Sequence, residues 1–241
     1  MKTLKTFWHA SRNFGDTLTP IVVAYLTGQD IQYAHRKSTG KLIAIGSVMT
    51  ALRKNDVVWG TGSIRAGHKG CIKQPDGSKF LAVRGPLTRE LIDGDVPEIY
   101  GDPGILMPLI YDPAMEKRYA IGYMPHHIDR EILLKKMKFG GEIKFIDIMQ
   151  DWDKVIEEMN SCEMIVTSSL HGIVCSDAYG IPVRWEKYSD NVIGGEFKFQ
   201  DYFLGTGRER HNYGDIIKPI TNLKERQDIL INALINYYGK K

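Results

Sequence analysis

The chain is poor in cysteine, nearly balanced in charge, and without a long apolar run. Its three cysteines, Cys71, Cys162 and Cys175, are odd in number and nowhere in CxxC spacing. That argues against a disulfide framework and a zinc site, and it fits a reducing cytoplasm. Lys and Arg outnumber Asp and Glu by 32 to 29, a net charge of +3. This excess is too small to point to nucleic acid, yet it would not repel an anionic substrate. No apolar stretch could span a membrane, and the opening MKTLKTFWHA lacks the apolar centre of a signal peptide. The expected location is cytoplasmic, with any membrane association peripheral and at the inner face. What is present, 43% apolar and 25% charged residues in 241 positions, is ordinary for a globular protein of one large or two small domains.

The most informative stretch is Glu163 to Arg184. Met164 to Thr167 is short, apolar and β-branched, as in a strand buried on both faces. Ser168 and Ser169 are turn and N-cap types. Leu170 to Tyr179 has helical spacing, Gly180 stops it and Pro182 blocks its continuation. His171 therefore stands in the first turn of a helix, just past the carboxyl end of a strand, with Gly172 beside it. In open α/β sheets ligands bind there, and the free N–H groups of a helix start favour phosphate or carboxylate. The plainer reading, in which His171 only caps the helix, is the competitor.

The rest of the chain alternates strand and helix. Thr6 to Ala10 reads as a first strand. Ser11 to Asp16 follows as a turn, with Asp16 as N-cap of a helix from Thr17 to Leu26 ending at Gly28. Asn13, Gly15 and Asp16 could hold an anion or a sugar, or could only cap. Strands are expected at Lys41 to Ile45, Asp56 to Trp59, Phe80 to Val83 and Glu98 to Tyr100. Gly46-Ser47 opens a short helix, and Gly60 to Ser63 could let a ligand approach the backbone at Gly62. Pro75-Asp76-Gly77 reads as a hairpin or loop tip. Arg84, at a strand end beside the helix Leu87 to Leu91, reads either as an anion clamp or as half of a structural ion pair. Asp102 follows the next strand. The alternation restarts with a strand at Tyr119 to Met124, then helix Asp129 to Met137, strand Glu142 to Ile148 and helix Trp152 to Asn160. The adjacent His126 and His127 lack a further ligand at metal spacing, so a cleft-facing histidine is preferred to a metal site. Cys175 reads as a small apolar residue. Asp190 to Gly195 resembles a loop, Phe197 to Leu204 an aromatic-rich helix, and Asn222 to Tyr238 a long closing helix. Two α/β lobes are expected, 1–114 and 115–241, with parallel sheets facing each other across a cleft.

Taken in order, Asn13-Phe14-Gly15-Asp16, Gly46-Ser47, Trp59-Gly60-Thr61-Gly62, Val83 to Thr88, Gly101-Asp102-Pro103, Ile121 to His126 and Ser168-Ser169-Leu170-His171-Gly172 resemble the polysaccharide pyruvyl transferase family. They are most similar to its short bacterial exopolysaccharide and capsule members. The resemblance implies two Rossmann-like lobes arranged as in GT-B glycosyltransferases, with the closing helix returning toward the first lobe. It implies transfer of the pyruvyl group of phosphoenolpyruvate onto two hydroxyls of one sugar, giving a cyclic ketal and phosphate. Phosphoenolpyruvate is then the donor substrate, no separate cofactor or metal is demanded, and the acceptor is a sugar or lipid-linked oligosaccharide. Some members carry an Arg where this chain has Ser169, so anion binding must come from elsewhere, with Arg84 the expected source.

Ketal formation needs a proton on the methylene carbon of the donor, and histidine is the side chain suited to deliver it near neutrality. His171 is the expected acid, with base toward the sugar hydroxyl as its alternative role, Arg84 the anion clamp, and Asp16 a catalytic partner. Asn13, Gly15, Gly62, Asp102, His126, Ser168, Ser169 and Gly172 are expected substrate contacts. Three competitors remain. A GT-B-type glycosyltransferase would use a sugar nucleotide. A serine hydrolase would use Ser168 or Ser169, but no G-x-S-x-G is present. A sugar-binding module would do no chemistry.

Overall fold

The structure, a computed structural model, describes residues 3–10 and 13–239; the expected turn positions Ser11 and Arg12 lie outside them. The elements run β1 (Thr3–Phe7), α1 (Phe14–Thr27), β2 (Asp30–Tyr33), β3 (Leu42–Ile43), β4 (Val57–Trp59), β5 (Ile72–Lys73), β6 (Lys79–Ala82), α2 (Pro86–Glu90) and β7 (Ile92–Asp93). A 3₁₀ turn, Pro103–Leu109, precedes β8 (Tyr119–Met124), α3 (Arg130–Lys136), β9 (Ile143–Phe145), α4 (Trp152–Asn160) and β10 (Cys162–Thr167). The chain ends with α5 (Leu170–Ala178), β11 (Val183–Trp185), α6 (Phe197–Gly205), β12 (Ile216–Ile217) and α7 (Leu223–Tyr238).

The strands form two five-stranded sheets, ordered β2-β1-β3-β4-β6 and β12-β11-β10-β8-β9, with β5 and β7 as a separate pair. All pairings are parallel except β11 with β12. Parallel strands require crossover connections, and helices supply most of them, so both sheets are mixed α/β layers. One apolar core joins residues of both sheets, from Leu18, Leu42 and Trp59 to Ile165, Ile173 and Trp185.

Several elements differ from the sequence expectation. The first strand begins three residues earlier, and Asn13 rather than Asp16 caps α1, its side chain accepting from the Gly15 N–H at 3.1 Å. Glu98 to Tyr100 forms only a bridge, Val83 to Tyr100. Of the two readings of Pro75 to Gly77 the loop tip holds, with a turn at Asp76 and Gly77, and no hairpin closes there because β5 pairs in parallel with β7. Short apolar runs are ambiguous in sequence, and here tertiary pairing decided them.

Two helices of the C-terminal half reach back to the first sheet. On α7, the Leu230 carbonyl accepts from Trp59 Nε1 at 2.9 Å, and Gln227 Nε2 donates to the Ile105 carbonyl at 2.8 Å. Helix α6 is buried over most of its surface, including Lys198, Asp201, Tyr202 and Phe203. Phe199 and Phe203 stack on Trp185 of β11, with ring centroids 4.8 and 5.5 Å away. The opposite side of α6 meets α2. Asp201 there accepts from Arg84 Nε at 3.0 Å, from the Thr88 N–H at 2.8 Å and from Thr88 Oγ1 at 2.6 Å. The contact is backbone-close: a Cβ on Gly85 would stand 1.8 Å from the Asp201 carbonyl oxygen.

Arg84 and Asp201 are both fully buried. Removing one member of such a pair leaves an uncompensated charge in a poorly solvated place, at a cost of about 3–5 kcal/mol. Asp201→Ala is therefore expected to lower unfolding stability by that amount in urea titrations. A loss below about 1 kcal/mol would mean that the pair carries little of the junction.

Candidate active site

A cavity of about 310 Å³ lies between the two sheets. His9, Asn13, Asp16 and Ser47 line it from one side, and His126, His127, Ser169, His171 and Lys198 from the other. These residues follow β1, β3, β8 and β10 or sit on α6, so the carboxyl ends of parallel strands converge on it.

His171 is held from three directions. Its Nε2 lies 3.9 Å from Asp102 Oδ2. Both atoms are buried, and neither has a hydrogen-bond partner among the described residues. Asp102 is fully buried and anchored through Oδ1, which accepts from the Gly104 N–H at 2.9 Å. The ring of Phe14 meets the imidazole edge-on at 6.4 Å. Gly15 lies directly against the ring, where an added Cβ would stand 2.0 Å from Nδ1. A side chain at position 15 would occupy the place of the imidazole, which explains glycine in the second position of α1.

His126 is a neutral donor. Burial, reinforced by the positive charge of Lys198, pushes its pKa down to about 3. Its Nδ1 accepts from the Ile128 N–H at 3.3 Å, which assigns the ring proton to Nε2. Its backbone N–H donates to Ser168 Oγ at 3.0 Å, and Ser168 Oγ donates to the buried Asp129 at 2.7 Å.

Lys198 is the residue that sequence reasoning missed. Its side chain is buried at the cavity wall, with no ion pair or hydrogen bond among the described residues. Burial, together with the nearby Arg84 charge, lowers its pKa to about 8, against the opposing pull of Asp16 and Asp129. In sequence it is a lysine between Phe197 and Phe199 on a helix that also carries Gln200 and Asp201, so nothing local sets it apart from a solvated lysine.

Of the expected site residues, Asn13, Asp16, His126, Ser169 and His171 line the cavity, and Asp102 stands behind His171. Arg84, expected as an anion clamp, is instead fully buried and engaged inside the protein. Besides Asp201, its Nη1 donates to Ser47 Oγ at 2.7 Å and its Nη2 to the Ser63 carbonyl at 2.6 Å. Gly62, expected beneath a ligand, lies beneath that guanidinium: a Cβ there would stand 2.4 Å from Arg84 Cζ. Gly172 packs against Thr167, with a Cβ position 2.4 Å from Oγ1. Ser168 lines a neighbouring cavity. Among the described residues no three His, Cys, Asp or Glu side chains are grouped to hold a metal ion. Nor is any helix among them long and apolar enough to cross a membrane.

The profile of the family described as polysaccharide pyruvyl transferase matches residues 26–190. An uncharacterized protein, L143, of Acanthamoeba polyphaga mimivirus is 33% identical over 190 residues, covering 74% of this chain and 64% of that protein. The succinoglycan biosynthesis protein ExoV of Rhizobium meliloti (strain 1021) is 24% identical over 201 residues, covering 81% of this chain and 62% of that protein. The chain thus spans less than two thirds of the length of these curated relatives. No solved structure matches.

The close approach of Gly15 to His171 is directly testable. Gly15→Ala should destabilise the protein by about 1–3 kcal/mol, the usual cost of overpacking. It should also shift the imidazole proton signals of His171 in NMR spectra. Unchanged His171 signals would contradict the contact.

Proposed function

The chain belongs to the polysaccharide pyruvyl transferase family, and from that premise we propose that it moves the pyruvyl group of phosphoenolpyruvate onto two hydroxyls of one sugar. One observation carries this reading. Lys198, a buried side chain whose ammonium lies 5.3 Å from the Phe199 ring centroid and has no ion pair or hydrogen bond among the described residues, shares a cavity with His171, His126 and the start of α5. A largely buried lysine without a carboxylate partner favours an anion, and the first-turn amides of a helix favour the same partner. A donor bearing phosphate and carboxylate beside a proton-transfer group fits that arrangement.

In the proposed reaction Lys198 and the amides of α5 hold the anionic groups, and Nε2–H of His126 donates a further hydrogen bond. His171 protonates the methylene carbon, which becomes the methyl group of the product. A carbon with oxocarbenium character forms beside the bridging oxygen. One sugar hydroxyl adds to it and yields its proton to the now neutral imidazole. The bond to phosphate then breaks, the second hydroxyl closes the ring, and its proton leaves with the phosphate. Asp102 supplies the negative charge that accompanies the imidazolium, and Nδ1, opposite Nε2, is the nitrogen that exchanges the proton. Asp16, across the cavity, accepts from an acceptor hydroxyl. The leaving group is already part of the donor, so the chemistry asks for no redox cofactor.

The test is an incubation of protein, phosphoenolpyruvate and a panel of nitrophenyl and lipid-linked sugars, read by phosphate release and by the mass of the ketal. Phosphate release that depends on a sugar supports the reading. Turnover with a sugar nucleotide in place of phosphoenolpyruvate would overturn it. Lys198→Met should weaken donor affinity about ten- to a hundredfold, the worth of a hydrogen bond to a charged group. Lys198 carries its charge below about pH 8 and loses it above. Donor affinity in the wild type should therefore fall as pH rises through 8, and the variant should lack that step. A wild-type affinity that is flat across this range would reject the role.

A further inference from the structure

A second cavity, of about 390 Å³, adjoins the first. The two are separated by one layer of chain: Ile128, Ser169, Ile193 and Lys198 line one, and their sequence neighbours Asp129, Ser168, Val192 and Phe199 line the other. Their chemistry is opposite. The first cavity carries Lys198 and four imidazoles, those of His9, His126, His127 and His171, with Asp16 its one carboxylate among the described residues. The second is walled by the carboxylates Asp129, Glu186 and Glu196 and by the rings of Trp185, Phe199 and Tyr213. Among the described lining residues the one cation is Lys187, which pairs with Asp190, while Glu186 pairs through Oε1 with Arg184 Nε at 2.6 Å.

We propose that this second cavity is the acceptor subsite and takes a neutral sugar ring, an inference that rests on the pyruvyl-transfer reading above. Carboxylates accept hydrogen bonds from hydroxyls, and aromatic edges cover the apolar C–H faces of a pyranose. Asp129 and Glu196, which have no cation partner among the described residues, repel a donor that carries phosphate and carboxylate, so the two ligands sort by charge. Trp185 supplies an independent sign of a ligand. It is fully buried at this wall, yet its Nε1–H has no hydrogen-bond partner among the described residues. Buried donors are normally satisfied, and a sugar oxygen is the partner this one lacks. Asp129 links the two cavities. It accepts from Ser168 Oγ, which in turn accepts from the His126 N–H, and from Ser189 Oγ, so an occupied acceptor site borders the backbone that carries His126.

The test is saturation-transfer NMR with methyl β-glucoside, β-galactoside and β-mannoside, each titrated into the full chain. At least one should bind, and phosphoenolpyruvate or uridine monophosphate should not displace it. Glu186→Gln and Tyr213→Ala should each weaken that binding about tenfold, the worth of a hydrogen bond to a charged group or of a ring contact. Glu186→Gln keeps the shape of the side chain, so its result stands even if Tyr213→Ala unfolds. No binding of any glycoside, undiminished binding in Glu186→Gln, or displacement by either anion overturns the subsite. The two proposals fail separately. Glycoside binding through this cavity without phosphoenolpyruvate-dependent transfer would keep the subsite and remove the reaction. Transfer whose acceptor KM is unmoved by Glu186→Gln would keep the reaction and remove the subsite.

Discussion

The arrangement depends on the buried pair of Arg84 and Asp201. Two charges removed from water are stable only if they find each other and their remaining hydrogen bonds are met. Here they are: Thr88 completes Asp201, while Ser47 and Ser63 complete Arg84. Arg84 lies between β6 and α2, and Asp201 lies on α6, which packs on β11 of the other sheet, so this requirement fixes α6 against α2. Lys198 precedes Asp201 by three residues on the same helix, and residues so spaced share a face. Anchoring Asp201 therefore fixes Lys198 at the cavity wall. Arg84 thus influences the cavity without entering it, by holding Ser47 and by adding its charge to the field that lowers the Lys198 pKa.

A second constraint acts on His171. Phe14, Gly15 and Asp102 hold its ring, and the first two of these begin α1. The start of α1 is itself tied across the junction, since the Phe14 N–H donates to the Ile148 carbonyl at 2.9 Å. The imidazole on α5, which follows β10 of one sheet, is therefore positioned by α1, which follows β1 of the other. Such dependence is what a reaction between two bound molecules requires, because misplacement by about 1 Å can cost about a hundredfold in rate.

Local features were legible in the sequence. Helix α4 and strand β8 fall on the residues expected, because each carries a clean period between clear breakers. His171 could be placed at the cavity because strand, turn and helix start are adjacent in the chain. Asn13, Asp16 and His126 were reached by the same argument. The partner of Arg84 was not legible, since Asp201 lies 117 residues away and nothing local marks it. The two glycines expected to admit a ligand admit protein instead, Arg84 over Gly62 and Pro103 over Gly60. Close packing of that kind is a property of the folded chain. Lys198 was overlooked because a lysine in a helix is normally a solvated one, and only burial distinguishes it.

The central claim is that the cavity between the sheets is the donor site, with Lys198 as anion holder and His171 as acid. A crystal structure of the protein with phosphoenolpyruvate tests it most directly. The account predicts that an anionic group of the donor lies within hydrogen-bond reach of Lys198 Nζ and the first turn of α5, with the methylene carbon facing the His171 ring. A donor found in the acid-lined cavity, or one that leaves Lys198 and His171 without contact, would contradict it.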